Sequence, residues 1–524
     1  MPKEAPDPQL VAAGVAYRDD DPDARTRAEA DALLSRADPD ELRERFGSEI
    51  AFGTAGLRGL IGAGTSRMNR RAVARTTAAL CAYLMRSVPD AQRRGLCIGY
   101  DGRHQSRAFA EEAATVACGA GFRVHAFADL VPTPLLAFAV LDSAAAGGVM
   151  ITASHNPAAY NGYKVYLHDG AQLRSPDDTY IQREIAAVGS ALELLRGSCG
   201  AEDLEGVAER YVSAVAAQVG RPAAPLPLRV AYTALHGVGE ALARRVFERI
   251  GAHDVQSVAA QSLPDPEFPT VSFPNPEEPG ALDELLALGE RVGADVALAN
   301  DPDADRLAVA ARDATGRLAP LSGNELGVLL ADHLLARAPR DGSNLVATTI
   351  VSTPLLERVA AAHGARCLRT LTGFKWIVPQ ALELARSQQL RFVLGFEEAI
   401  GYCVGGLVRD KDGIAAGAHV LHMAELHKAA GRTLHAALEE LYRRHGYCHS
   451  SQVSFPSGAA EQAAAMAKLR AAPPNALAAL PVRRVEDLLH GTAAAAGGSG
   501  LPPSDVLVLE LEGEHRITLR PSGT

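Results

Sequence analysis

The chain has 524 residues, of which 47% are apolar, and a formal net charge of −10 at pH 7. This length predicts three or four globular domains, and the acidic balance argues against a nucleic-acid partner. No run of about 18 apolar residues occurs, so we expect no membrane span. Residues 1–21 lack the basic-then-apolar order of a secretory signal.

Seven cysteines are scattered along the chain, and none has C-x-x-C spacing. An odd number without paired spacing favours reduced thiols over disulfides or a zinc site. We therefore expect a cytoplasmic protein.

The first predicted unit alternates strands and helices. Apolar runs predict strands at Leu96–Tyr100 and Gly147–Ile151, and helical patterns predict helices at about Ser106–Gly119 and Ile181–Leu195. Such alternation is typical of mostly parallel α/β sheets.

A short polar motif, Thr152–Pro157, follows the second of these strands, and Tyr160–Lys164 comes next. Asn-Pro and Asn-Gly favour turns. Ser154 should therefore lie on a loop at a strand end, where α/β proteins usually place their chemistry. Taken alone, the motif also fits an ordinary surface turn.

A Pro-rich break at 222–227 precedes a second unit, with predicted strands at Leu228–Tyr232 and Ala294–Ala299. The second strand enters Asn300–Arg306, where aspartates occur at every other position. Carboxylates at this spacing share one side of an extended backbone and repel each other unless a cation lies between them. Oxygen ligands favour Mg²⁺ or Ca²⁺. A solvated acidic turn is the alternative.

The calcium-binding EF-hand shares the opening spacing of this motif but requires a glycine and later a glutamate. Arg306 and Arg312 occupy those two positions, so the sequence argues against an EF-hand.

A capping box at Ser322–Glu325 predicts the helix that opens a third unit. A strand at Leu345–Ile350 and a helix near Leu434–Tyr442 follow. The Ala/Gly/Pro-rich segments 458–480 and 491–503 interrupt a smaller last unit, and we assign them no function.

Four motifs together resemble the α-D-phosphohexomutase superfamily, the phosphoglucomutases, phosphomannomutases and relatives. They are the Ser154 loop, the aspartate loop, Gly395–Tyr402 and Arg520–Thr524, and they occur in the family's order. The longer form of the motifs is similar to the branch that includes phosphopentomutase-type enzymes.

The resemblance implies three similar mixed-sheet α/β domains around a central cleft and a smaller C-terminal α+β domain. We predict domain boundaries at residues 1–220, 221–320, 321–447 and 448–524. Family members usually continue past the last motif with a further strand and helix, so we expect a shortened fourth domain.

The activity that the resemblance implies is interconversion of sugar 1-phosphates and 6-phosphates. A phosphoserine donates its phosphoryl group to the substrate, and the bisphosphorylated sugar returns its other phosphate. Mg²⁺ is the expected cofactor and a hexose 1,6-bisphosphate the expected primer. Glucose and mannose phosphates are the first expectation. A phosphopentomutase acting on ribose or deoxyribose phosphates, a glucose 1,6-bisphosphate synthase and a non-catalytic sugar-phosphate-binding phosphoprotein are the alternatives. We expect a monomer or dimer.

The resemblance also implies roles for individual residues. Ser154 carries the phosphoryl group, Arg58 lies close to it, and Lys164 or else His155 accepts the proton of the attacking hydroxyl. Metal ligands are expected to be Ser154, Asp301, Asp303 and Asp305. Substrate-binding residues are expected to be Arg306, Thr372, Gly373, Lys375, Glu397, Ala399, Arg409, Lys411, Arg520, Ser522, Gly523 and Thr524.

Three reservations come from the residues themselves. Lys164 and His155 could simply be hydrogen-bonded loop residues, and Arg409 and Lys411 could belong to a solvated loop. The family commonly has Ser and His where Ala399 and Tyr402 stand, so the sugar preference is left open.

Overall fold

The computed structural model describes residues 6–53, 56–198, 205–220, 225–455, 457–490 and 500–521. Among these residues, no helix is long and apolar enough to cross a membrane.

Three helices precede the first sheet. They are α1 (Pro8–Asp20), α2 (Ala24–Arg36) and α3 (Pro39–Phe46). An Asp side chain caps the N-terminus of each, because its oxygen accepts a hydrogen bond from a free backbone N–H group. Tyr17, Leu33, Leu42 and Phe46 form a small core of their own.

The first unit contains a six-stranded sheet. Its elements are β1 (Phe52–Gly53), β2 (Gly56–Leu60), α4 (Arg70–Ser87), α5 (Ala91–Arg94), β3 (Leu96–Tyr100), α6 (Ser106–Gly119), β4 (Val124–Ala126), α7 (Thr133–Asp142), β5 (Gly147–Ile151), β6 (Tyr160–Leu167) and α8 (Asp177–Ala187). The predicted strands β3 and β5 and the predicted helix α6 are confirmed.

The predicted helix at Ile181–Leu195 was wrong in its second half, because α8 ends at Ala187. Gly189 and Ser190 follow, and the Ser190 hydroxyl donates to Asp20 at 2.6 Å. This hydrogen bond holds the chain after α8 in a non-helical conformation.

The second unit contains a five-stranded sheet. After α9 (Glu205–Val219), its elements are β7 (Val230–Thr233), α10 (Glu240–Arg249), β8 (Val255–Ser257), a 3₁₀ turn (Ala259–Gln261), α11 (Asp283–Val292), β9 (Val296–Asn300), β10 (Leu307–Arg312) and β11 (Leu318–Leu321).

The third unit has four strands, and the last unit has four more. The third comprises α12 (Gly323–Arg337), β12 (Asn344–Thr349), α13 (Leu355–Ala362), β13 (Arg366–Thr370), α14 (Phe374–Ser387), β14 (Arg391–Glu397), β15 (Gly401–Val404), α15 (Gly413–Ala429) and α16 (Leu434–His445). The last comprises α17 (Ala459–Ala471), β16 (Ala476–Leu477), β17 (Leu480–Asp487), β18 (Leu507–Leu511) and β19 (Arg516–Leu519). The predicted capping box at Ser322–Glu325 is confirmed.

The first three sheets share one core topology. The strand orders β4-β3-β5-β6, β8-β7-β9-β10 and β13-β12-β14-β15 are equivalent, with three parallel strands and an antiparallel fourth. The fourth sheet is antiparallel throughout. The predicted fold class, three mixed α/β sheets and a smaller C-terminal domain, is confirmed, whereas the exact domain boundaries stay predictions.

One prediction about cysteines was wrong. Cys118 is disulfide-bonded, because the fold can bring together thiols that sequence spacing does not pair. Of the other cysteines in the described part of the chain, those at positions 81, 97, 367, 403 and 448 are free of disulfide bonds.

Candidate active site

Three equivalent loops meet at one place. Each connects the third strand of its core to the antiparallel fourth, so each begins at the carboxyl end of a parallel strand. The β5–β6 loop carries Ser154, the β9–β10 loop carries the aspartates, and the β14–β15 loop follows Glu397. The last two loops are joined through the backbone, since Leu307 N–H donates to the Ile400 carbonyl at 3.0 Å.

Ser154 is buried and makes contact with the second unit. Its hydroxyl donates to Asp301 Oδ2 at 2.6 Å. Ser154 Oγ also lies 3.1 Å from His155 Nδ1. Ser154 has a positive φ of 51°, a conformation that is unfavourable for residues other than glycine. Its backbone N–H donates to Thr152 Oγ1 at 2.8 Å, which supports this turn.

Asp301, Asp303 and Asp305 are fully buried, and each offers an oxygen within 4.8 Å of the other two. Lys164 on β6 neutralises part of this charge, because Nζ donates to Asp303 at 2.6 Å and Asp305 at 2.9 Å. Thr133 Oγ1, at the start of α7, also donates to Asp303 at 2.6 Å.

The cluster fits a divalent cation. One oxygen of Asp303 and one of Asp305 are buried without a hydrogen-bond partner, which is costly for a carboxylate in the protein interior. The donor set is all oxygen, with the Ser154 hydroxyl against Asp301, and this is the chemistry that Mg²⁺ prefers.

The pKa values of Asp301 and Asp303 are shifted in opposite directions. Burial raises the pKa of Asp301, and the neighbouring carboxylates of Asp303 and Asp305 add to the increase. Burial also disfavours ionised Asp303, but Lys164 outweighs it and holds the pKa of Asp303 below its usual range. Burial would lower the pKa of Lys164, yet Asp303 and Asp305 hold it above the ordinary value. Lys164 is therefore an ammonium ion bridging two carboxylates.

Arg58 and His155 complete the surroundings of Ser154. Arg58 on β2 donates from Nη1 to Asn156 Oδ1 at 3.1 Å. Burial and the nearby cations Arg306 and Arg58 lower the pKa of His155 to about 2, so its imidazole is neutral. The ring of Phe273, from the second unit, lies 6.4 Å from the His155 ring between centroids.

The third unit contributes Glu397 and Lys411. Lys411 Nζ lies 3.3 Å from Asp305 Oδ2 and 5.5 Å from the Phe374 ring centroid, so it is not part of a solvated loop. Burial raises the pKa of Glu397 to about 7, although Lys411 opposes the increase. Among the described residues, no side chain donates a hydrogen bond to the Glu397 carboxyl group.

The other predicted substrate-binding residues have more varied surroundings. Arg306 donates to Glu277 at 2.9 Å, and Arg409 donates to the Asp169 carbonyl at 2.8 Å. Thr372 and Gly373 precede α14, and Lys375 lies in its first turn with Nζ 6.0 Å from the Trp376 ring centroid. The half-buried residues of this group include Thr372, Gly373, Lys375 and Ala399.

Tyr402 differs from the residue that the family commonly has at its position. It is fully buried, and its hydroxyl donates to the Gly323 carbonyl at 3.3 Å. Neither Tyr402 nor Ala399 therefore offers a polar side chain for recognising a sugar.

The last predicted group lies in the C-terminal unit. Arg520 is exposed just after β19, whereas Ser522, Gly523 and Thr524 lie outside the described residues. This unit packs on the third through a shared cluster that includes Ile350, Leu371, Leu488 and Val508.

Sequence reasoning missed several residues at the site. Arg103 donates to the Pro157 carbonyl at 2.9 Å, and Thr133 contacts Asp303. Asp410 accepts from the Tyr166 hydroxyl at 2.8 Å and lies 3.7 Å from Lys411 Nζ. Their hydrogen-bond partners Pro157, Asp303 and Tyr166 are more than 50 positions away along the chain, so no local pattern could reveal these contacts.

Three family models match this chain in order. The alpha/beta/alpha domains I, II and III of phosphoglucomutase/phosphomannomutase match residues 49–191, 209–316 and 322–445. Together with the buried serine–aspartate site, these matches define a phosphosugar mutase, an isomerase that transfers a phosphoryl group within its substrate. The chain belongs to the phosphoglucomutase/phosphomannomutase family, the α-D-phosphohexomutases.

Three relatives illustrate the range of named activities. The "Probable phosphoribomutase" of Schizosaccharomyces pombe is 36% identical, and the match covers 96% of this chain and 90% of that protein. The phosphopentomutase of Mus musculus is 35% identical, with 87% and 78% covered. The phosphoglucomutase of Staphylococcus aureus is 33% identical, with 92% and 89% covered.

A solved structure supports the fold. A phosphoglucomutase/phosphomannomutase family protein from Burkholderia thailandensis superposes with a TM-score of 0.65 at 22% identity, covering 89% of this chain and 91% of that one. At this identity the likeness concerns the fold alone.

Proposed function

We propose that this protein is a phosphopentomutase, which interconverts ribose or deoxyribose 1-phosphate and the 5-phosphate through phosphorylated Ser154. The contact that supports the reaction is the 2.6 Å hydrogen bond between the Ser154 hydroxyl and Asp301, inside a buried cluster of three aspartates. The names of two relatives, a probable phosphoribomutase and a phosphopentomutase, support the choice of a pentose phosphate as substrate.

Ser154 is suited to carry a phosphoryl group that is passed to a sugar and taken back. The bond between Oγ and phosphorus breaks as a sugar hydroxyl oxygen forms its own bond to phosphorus. Mg²⁺, held by Asp301, Asp303, Asp305 and the serine oxygen, would neutralise phosphate charge. Arg58, which donates a hydrogen bond to Asn156 of the same loop, adds a positive charge.

The proton of the attacking hydroxyl needs an acceptor. Lys164, the first candidate from the sequence, is held as an ammonium ion by Asp303 and Asp305, so it must lose its own proton before it can accept another. His155, the second candidate, is neutral, and its Nδ1 lies 3.1 Å from Ser154 Oγ. Replacing each in turn with Met or Gln, and comparing single-turnover rates, separates the two roles.

The segment Gly395–Tyr402, which we expect to recognise the sugar, favours a smaller substrate. Among the described residues, no side chain donates a hydrogen bond to Glu397, whereas Ala399 and Tyr402 provide no polar contact to a ring. A pentose phosphate has fewer hydroxyls to satisfy than a hexose phosphate, and an unpaired polar group in a closed site is costly.

A hexose phosphate is the second candidate substrate, as first expected from the sequence. The identity to the Staphylococcus aureus phosphoglucomutase over most of both chains favours it. A hexose or pentose bisphosphate serves as primer in either case.

The test is a coupled assay of four 1-phosphates (ribose, deoxyribose, glucose and mannose) with Mg²⁺ and a trace of glucose 1,6-bisphosphate. We expect kcat/KM for a pentose phosphate to exceed that for both hexose phosphates by at least about tenfold, the usual discrimination for one carbon unit. A higher value for glucose or mannose 1-phosphate would assign the hexose reaction instead.

A further inference from the structure

The loop that carries Ser154 holds an unfavourable backbone conformation that needs support from outside the loop. Ser154 has φ 51°, and only the Thr152 hydroxyl supports its N–H within the motif. The backbone carbonyls of this loop need donors, since unpaired buried carbonyls are rare.

Arg103 supplies those donors. Its side chain is 1% exposed. Nη1 donates to the carbonyls of Pro157 at 2.9 Å and Tyr160 at 3.3 Å, and Nη2 donates to the carbonyls of Ser154 and Asn156. One planar guanidinium thus gathers four carbonyls of a single loop, which a lysine ammonium cannot do with the same geometry.

Two further contacts fix this guanidinium. Arg103 Nε lies 3.4 Å from Asp101 Oδ2 at the end of β3. The other contact comes from the second unit, where the Phe268 ring lies 4.9 Å from the guanidinium carbon. Phe268 is itself buried, with φ 48°, so the second unit presents a rigid ring to Arg103.

We propose that Arg103 is a positioning residue that holds the Ser154 loop so that the serine oxygen faces Asp301, and that Phe268 locks the guanidinium in place. Through this pair, the geometry of the phosphoserine loop depends on contact between the first and second units. Arg103 acts through the loop backbone and does not touch the substrate.

The test compares Arg103→Lys, which keeps the charge but loses the planar guanidinium group, with Arg107→Lys at an exposed position of α6 as the control. Since a misplacement of about 1 Å costs on the order of a hundredfold in rate, we expect Arg103→Lys to lower kcat by about that factor with KM unchanged. Arg107→Lys should behave like the wild type. Amide hydrogen exchange should become faster in residues 152–161 of Arg103→Lys and stay unchanged in the rest of the first sheet.

Phe268→Leu provides an independent variant, because it keeps an apolar side chain but removes the aromatic face. It should lower kcat less than Arg103→Lys does, and it should add nothing in the double variant. Wild-type kcat and exchange in a folded Arg103→Lys protein would overturn the proposal. So would a fall in kcat accompanied by faster exchange throughout the unit, because the role would then be general stability.

Because the effect on kcat presupposes that Ser154 is the phosphoryl carrier, Ser154→Ala is measured in parallel. Activity in Ser154→Ala would remove that premise and contradict the proposed function. The exchange measurement on residues 152–161 would still decide whether Arg103 holds the loop.

Discussion

The Ser154 hydroxyl has two partners of different kinds, the carboxylate of Asp301 and the neutral ring of His155. A serine oxygen fixed in this way between a candidate metal ligand and a nitrogen base is positioned for phosphoryl transfer, which depends on alignment and charge neutralisation. No other serine of the described residues contacts the aspartate cluster.

Ser154→Ala should therefore abolish turnover of every sugar phosphate without unfolding the protein, since it removes the oxygen that bonds to phosphorus. Intact-mass analysis should find one phosphate on part of the wild-type chains and none on the variant. Ser213→Ala, on the exposed surface of α9, should be active and phosphorylated like the wild type. Substantial mutase activity in Ser154→Ala would refute the phosphoserine assignment.

Glu397 should give the reaction a pH dependence. Burial raises the pKa of Glu397 to about 7, so its carboxylate form, which we expect to accept hydrogen bonds from sugar hydroxyls, predominates above pH 7 and is lost as the pH falls. KM for the preferred sugar phosphate should rise as the pH is lowered from 8 to 6, a range set by that pKa. In Glu397→Gln, KM should change little over the same range.

The control for this measurement is Glu383→Gln, which replaces an exposed glutamate on α14 and should keep the wild-type profile. A Glu397→Gln enzyme with an unchanged pH profile and an unchanged order of substrates would show that Glu397 does not bind the sugar.

The β9–β10 loop carries the three buried aspartates of the site. Its carboxylates contact Ser154, Lys164 and Lys411, which come from the first and third units. The resemblance to the family predicted the meeting of Ser154 with the aspartates, because local patterns cannot show that loops of two separate sheets come together. It did not predict the two lysine bridges, because ion pairs between separate sheets depend on how the sheets pack.

Asp303→Asn should weaken Mg²⁺ binding while the fold is kept, because it removes one charge but leaves an oxygen for Lys164 and Thr133. A contact with a charged group is worth roughly 1.5–3 kcal/mol, so the Kd for Mg²⁺ should rise about ten- to a hundredfold. Isothermal titration calorimetry measures this directly, with Asp254→Asn as a surface control. An unchanged Kd would contradict the metal site.

Element prediction succeeded where the pattern was long and local. Helix α6 begins and ends where its apolar period predicts, and the Ser322 capping box does start α12. The burial of Tyr402 was not visible in the sequence, because its partner is the carbonyl of Gly323 in a different element.

At the scale of the whole molecule, three copies of one sheet topology bring three equivalent loops to one site. The sequence predicted this repeated architecture through its resemblance to a family, since strand order itself cannot be read from local patterns. It did not predict the three N-terminal helices as a separate layer, because their core of Tyr17, Leu33, Leu42 and Phe46 forms only when the helices pack.

The C-terminal unit should contribute equally to the binding of every sugar phosphate. Arg520 follows β19, and we expect it to bind the phosphate that is not transferred. Arg520→Ala should lower kcat/KM for all four 1-phosphates by a similar factor, about ten- to a hundredfold for a lost charged contact. Arg483→Ala, on β17 of the same sheet, is the control and should have no effect. If Arg520→Ala is also fully active, this unit does not bind the substrate.

One measurement tests the central claim most directly. Purified phosphorylated protein is mixed with an equal amount of deoxyribose 1-phosphate, and both the protein and the sugar are analysed by mass spectrometry within one turnover. We predict that the phosphate leaves the peptide containing Ser154 and that a deoxyribose bisphosphate appears with it. Retention of the phosphate on Ser154, or its presence on a different residue, would contradict the proposed phosphopentomutase mechanism.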